Sequence, residues 1–150
     1  MTGKRAKDAK VEELRRRGCL SAHPERVSDP GFSDSEFLDS RDLVQVKYEM
    51  VRKVKLDGAP VSRSAAAFGF SRPTYYDAEA ARYEADAKEH EDEASYYAGH
   101  QHPIATGHSP NNYDHYMVSH CPQIAAKLKE AAQESRALAA GHREMAKAAN

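Results

Sequence analysis

Residues 61–81 read VSRSAAAFGFSRPTYYDAEAA, and the fold turns on this stretch. Ser62 can cap a short helix, Arg63 to Phe68, in which Ala65, Ala66 and Ala67 leave room for a neighbouring backbone. Gly69 supplies a tight turn. Ser71 can cap the next helix, which carries Pro73 in its first turn, where the missing N–H leaves no helical bond unmade. A small-residue helix, a glycine turn and a helix opening on polar and aromatic groups are the parts of a DNA-reading helix-turn-helix. The second of these helices would offer Ser71, Arg72, Thr74, Tyr75 and Tyr76 to phosphates and base edges, with Ser62 and Arg63 alongside and Arg72 able to bridge guanine acceptors. Of the adjacent Tyr75 and Tyr76, one is expected in the core and one toward the ligand.

Upstream, Leu43, Val46, Tyr48, Met50, Val51 and Val54 give a mostly helical apolar spacing that Asp57-Gly58 stops before Pro60. Asp39, Ser40 or Asp42 can cap that helix. Residues 21–40 are dense in Pro, Gly, Asp and Ser, yet Val27, Phe32, Phe37 and Leu38 can pin them, so an ordered loop is expected. The first ten residues hold little that could be buried; VEELRRRG (11–18) predicts one short helix ended by Gly18, and the start is expected to fray. The expected divisions are a frayed segment over 1–20 and a helix-turn-helix unit over 21–80.

Downstream, Tyr76, Ala80, Tyr83, Ala87, His90, Ala94 and Tyr97 follow by alternate steps of four and three, the spacing that keeps one stripe facing a partner helix. Ile124, Leu128, Ala131, Ser135, Leu138, His142, Met145 and Ala149 continue the theme. Two helices, about 76–98 and 122–148, should pack antiparallel, alanines permitting a close approach, with Tyr97 near Ile124 and Tyr83 near Leu138. A helical hairpin over 76–150 results. Between the helices, GHQHPIATGHSPNNYDHYMVSHCP (99–122) gathers His100, His102, His108, His115, His120 and Cys121, all able to ligate zinc. Their spacing matches no established structural zinc pattern, so these weak candidates are expected to cap helix ends and pack on Tyr113 or Tyr116, and no cofactor is expected. His90 and His142, on the apolar stripes, read as core or edge histidines.

Composition bounds the function. In 150 residues, 22 Lys and Arg against 23 Asp and Glu leave a net charge of −1, so no whole-molecule attraction to nucleic acid or anionic membrane exists. Any basic surface must be local: residues 1–80 carry 15 basic and 13 acidic groups, and Asp42–Tyr76 carries six against three. No apolar run approaches the roughly 20 residues that span a bilayer, and the start lacks a secretory signal's apolar stretch, so a cytoplasmic protein with no membrane partner is expected. Cys19 and Cys121 are too few for a disulfide framework. No phosphate loop, G-x-S-x-G, H-E-x-x-H or dinucleotide fingerprint occurs, which argues against an enzyme.

Through RDLVQVKYEM (41–50) and AAAFGFSRPTYY (65–76), residues 10–80 resemble the helix-turn-helix proteins related to transposase N-terminal domains of bacterial insertion elements. The resemblance implies sequence-specific DNA binding by the helix beginning near Ser71. Complete transposases follow this domain with a metal-binding acidic triad, and the remaining 70 residues depart from that pattern because they lack strand-like runs to present one. The segment HCPQIAAKLKEAAQESRALAAGHREMAK (120–147) is similar to small Ala- and His-rich helical bacterial proteins of unknown function. The expectation is thus an all-α, non-enzymatic protein that binds double-stranded DNA in a transposase-associated or regulatory role, with a homo-oligomer through the hairpin possible. The alternative is a helical protein-protein interaction module.

Overall fold

The computed structural model describes residues 2–100 and 112–150. The protein is all-α: 78% of the described residues are helical, and they form no strand. In chain order come α1 (Thr2–Arg16), a single 3-10 turn (Pro24–Arg26), α2 (Pro30–Asp34), α3 (Leu43–Asp57), α4 (Val61–Ala67), α5 (Arg72–Gly99) and α6 (Asn112–Ala148). Two compact units divide the chain at Ala78/Glu79, a boundary inside α5.

Unit 1 begins with α1, which includes most of the short helix expected over 11–18. Three observations account for the order: Leu14 is buried, Lys10 pairs with Asp39 at 3.1 Å, and Arg15, Arg16 and Arg17 pair with Glu12 and Glu13 one turn back. Gly18, at φ 68°, ends the helix as Cys19 N–H reaches back to the Leu14 carbonyl at 2.8 Å. A lone antiparallel bridge, Leu20 to Asp42, ties this end to the start of α3. Asp42, one of three residues that could have capped α3, does so by accepting from Val44 and Gln45 N–H at 3.1 and 3.2 Å.

The core of unit 1 is Val46, Met50 and Val51 of α3, Ala65 of α4, Phe68 of the turn and Tyr75 of α5, with Val27, Phe32, Val54, Val61 and Phe70 packed around them. Each large side chain removed from water here stabilises by about 1.5–3 kcal/mol. Close approach of α4 to α3 is sealed by a buried bond, Ser64 Oγ donating to the Met50 carbonyl at 3.0 Å. The irregular 21–40 segment is pinned by Phe32, whose ring meets Phe68 edge-on at 5.8 Å, and by Asp29, which caps α2 and pairs with Lys53. Phe37, expected to help, is 88% exposed.

In unit 2, α5 from Glu79 onward packs closely against α6 as a hairpin. The α5 stripe is the expected one, with Ala80 and Ala87 buried and Tyr83, His90, Ala94 and Tyr97 half-buried. On α6 the buried stripe is Cys121, Ala125, Ala132, Ser135 and Ala139, with Leu128 and His142 half-buried. Ile124, Leu138 and Met145, expected in the seam, are 39%, 49% and 60% exposed. Alanines let the backbones approach, and larger side chains would prop the helices apart, so α6 turns its alanines inward. The register is marked by Glu79–Ser135, Glu84–Arg136, Glu91–Lys129 and Glu93–Cys121. Pro122 lies inside α6, where it cannot donate the helical bond to the Val118 carbonyl.

Candidate nucleic-acid interface

The turn between α4 and α5 is over-determined. Phe68, Gly69 and Phe70 N–H groups fold back on the Ala65 and Ala66 carbonyls at 2.8–3.2 Å. Gly69 has φ 76°, and a Cβ there would stand 2.6 Å from Arg26 Cβ, so only glycine fits. The reason is the chain crossing it: Ser28 N–H and Oγ both donate to the Ala67 carbonyl, at 2.8 and 3.3 Å, which lays the 3-10 turn along the turn between α4 and α5.

Of the residues expected to meet DNA, Ser62 and Arg63 are exposed in the first turn of α4, and Ser71 and Arg72 are exposed where α5 begins. Ser62 does not cap α4; the helix starts at Val61, two residues before the expected Arg63, with Pro60 at the cap position and no side-chain cap bond. Ser71 Oγ lies 3.2 Å from Thr74 Oγ1, and Thr74 is half-buried. The tyrosines separate. Tyr75 is 1% exposed and fills the core, so it leaves the contact set, while Tyr76 is half-buried with its ring edge-on to Tyr75 at 5.2 Å. Successive helical residues point about 100° apart, so a helix that buries Tyr75 against α3 and α4 turns Tyr76 toward the rim.

Electrostatics sharpens this set. Arg41, Arg52 and Lys53 are occupied by Asp39, Glu49 and Asp29. Among the described residues, no carboxylate pairs with Arg63 or Arg72. Arg26, exposed and seated against Gly69, adds a third cation at the turn. Sequence reading missed it because 39 residues separate the Ser28–Ala67 contact that brings it there.

The histidine candidates divide differently. His102 and His108 lie outside the described residues. His100 stacks on Tyr96 at 4.3 Å, with its Nδ1 bonded to the Tyr96 carbonyl at 2.9 Å; His120 packs on Tyr116 at 4.0 Å; His115 is exposed. Cys121 is brought instead to His90 and Glu93 of α5, the three ligand atoms lying within 4.8 Å of one another. Burial, followed by the hydrogen bond to Glu93 and its charge, pushes the Cys121 thiol up. The signal for this group was His90 and Glu93 three apart on one helix, but it needed the register of α6 to be read.

No family model matches the chain, and no solved structure matches it. A protein of Sinorhizobium fredii described as uncharacterized protein y4bC/y4pJ is 57% identical over 74 residues, which are 49% of this chain and 50% of that protein. Uncharacterized protein y4oM of the same organism is 51% identical over 75 residues, half of each chain. The chain therefore spans about half the length of these curated relatives.

Proposed function

We propose that the protein binds double-stranded DNA through α4, the Gly69 turn and the start of α5, without catalysing a reaction. The observation that carries this reading is the placement of Arg63 and Arg72, both exposed and free of carboxylate partners among the described residues, on the two helices of a helix-turn-helix. Arg72 and Ser71 reach base edges or phosphates from the first turn of α5, Ser62 and Arg63 hold the backbone, and Tyr76 lies at the edge of the contact. The resemblance to transposase N-terminal domains supports a mobile-element or regulatory setting. Binding of random duplex DNA titrated with salt tests the proposal: affinity should fall linearly on a log–log plot as salt rises. A protein that fails to retard duplex DNA even at low salt does not have this function.

A second reading, association through the hairpin, is favoured by Ile124, Leu138 and Met145, which leave an apolar line along the outside of α6. Light scattering over a concentration series tests it, since a self-associating hairpin gives a mass above one chain that Leu138→Glu returns to the monomer value.

A further inference from the structure

Where the alanine seam of unit 2 reaches Cys121, the side chains change character. His90 and Glu93 sit three apart on α5 and so rise from one face. Cys121 occupies the α6 stripe position that Ala125, Ala132 and Ala139 take farther on. His90 Nδ1 lies 3.4 Å from Glu93 Oε2, and Cys121 Sγ lies 3.6 Å from the same oxygen. A tetrahedral zinc ion, with bonds of about 2.0 Å to N and O and about 2.3 Å to S, spaces its ligand atoms by about 3.3–3.6 Å. Two sides of the triangle already have that size, and all three ligand atoms lie within 4.8 Å of one another. A separate observation points the same way: His90 Nδ1 is buried with no hydrogen-bond partner, its approach to Glu93 being close but misaligned. A buried ring nitrogen left in that condition is a position that a ligand would satisfy.

We propose that His90, Glu93 and Cys121 form a binding site for a zinc-class divalent cation, held by one imidazole nitrogen, one carboxylate oxygen and one thiolate, with a fourth position open to water. On binding, the Cys121 S–H bond breaks, a sulfur–metal bond forms and the proton leaves to solvent; no electron is transferred. Thiolate with imidazole selects against magnesium and calcium, which take oxygen ligands. The ion links α5 to α6, and the site stands or falls independently of DNA binding by unit 1.

The test uses the full chain, stripped with a chelator and titrated with cobalt(II), whose bond to a thiolate gives a charge-transfer band, then with zinc in competition. One cobalt per chain should bind with that band, an equivalent of zinc should abolish it, and zinc should raise the melting temperature until chelator is added. Cys121→Ala, which matches the residues along its stripe, should lose the band; His90→Ala should weaken cobalt binding at least tenfold. Cys19→Ala should keep the band, which assigns the thiolate even where Cys121→Ala proves unstable. A variant with His100, His115 and His120 all changed to Ala should also keep it. No thiolate band at equimolar cobalt, a band lost in Cys19→Ala, or a band lost in the triple variant each overturns the proposal.

Discussion

Arg72 stands at the first position of α5 with its side chain in solvent, so its removal tests binding without disturbing the core. Arg72→Ala should weaken DNA binding by about 1–3 kcal/mol if it reads a base, with an unchanged melting temperature. Equal affinities by fluorescence anisotropy would remove it from the interface. Asp39 has the opposite character, since its function is to hold the fold. The Arg41 guanidinium, assisted by the Arg41 N–H and by Lys10, keeps its carboxyl well below the usual carboxylate range. Its contribution to stability is therefore complete above the unfolded value of about 3.9 and declines as pH falls below it. Thermal melts between neutral pH and pH 3 should show wild type losing more stability than Asp39→Asn over that interval. At this scale the sequence was partly legible. The pair Tyr75-Tyr76 announces that one ring goes inward, but which one depends on the angle at which α5 meets α3 and α4. Exposure of Arg72 at the start of α5 was readable from local chemistry alone.

Among the elements, α6 shows where pattern reading stops. Its residues carry two neighbouring heptad lines, Ile124, Ala131, Leu138 and Met145 beside Ala125, Ala132 and Ala139. Hydropathy favours the first, and the molecule buries the second. The alanine line wins because Ala80, Ala87 and Ala94 on α5 offer a shallow surface that only small residues can approach closely. Leu128 serves either phase, and it is half-buried. Leu128→Ala should thus cost about 1–2 kcal/mol, below the roughly 2–5 of a fully enclosed leucine. Ala132→Leu should cost more than Leu138→Ala, because overpacking a close contact is destabilising by about 1–3 kcal/mol. Chemical denaturation of the three variants decides between the two phases; a Leu138→Ala loss exceeding that of Ala132→Leu would return the seam to the larger side chains. The α4–turn–α5 element was more legible, since the order helix, turn, helix and its glycine follow from spacing and backbone chemistry within 21 residues.

For the molecule as a whole, the all-α class and the helical hairpin were readable from composition and periodicity. What joins distant segments was not: Arg26 at the Gly69 turn, and Cys121 with His90 and Glu93, depend on contacts 39 and 28 residues apart. The described helices include none long and apolar enough to cross a membrane, and α6 packs along α5 in the hairpin. Its cohesion cannot be uniform, because Pro122 withholds the bond that would tie the Val118 carbonyl to the next turn. The stretch 114–121 is then a short helical arm, below the roughly 12–15 residues at which an isolated helix holds itself. Local opening should begin there: in hydrogen–deuterium exchange, amides of 114–121 should exchange ahead of those of 125–140, and a cation bridging Cys121 to His90 and Glu93 should slow the first group while leaving the second unchanged.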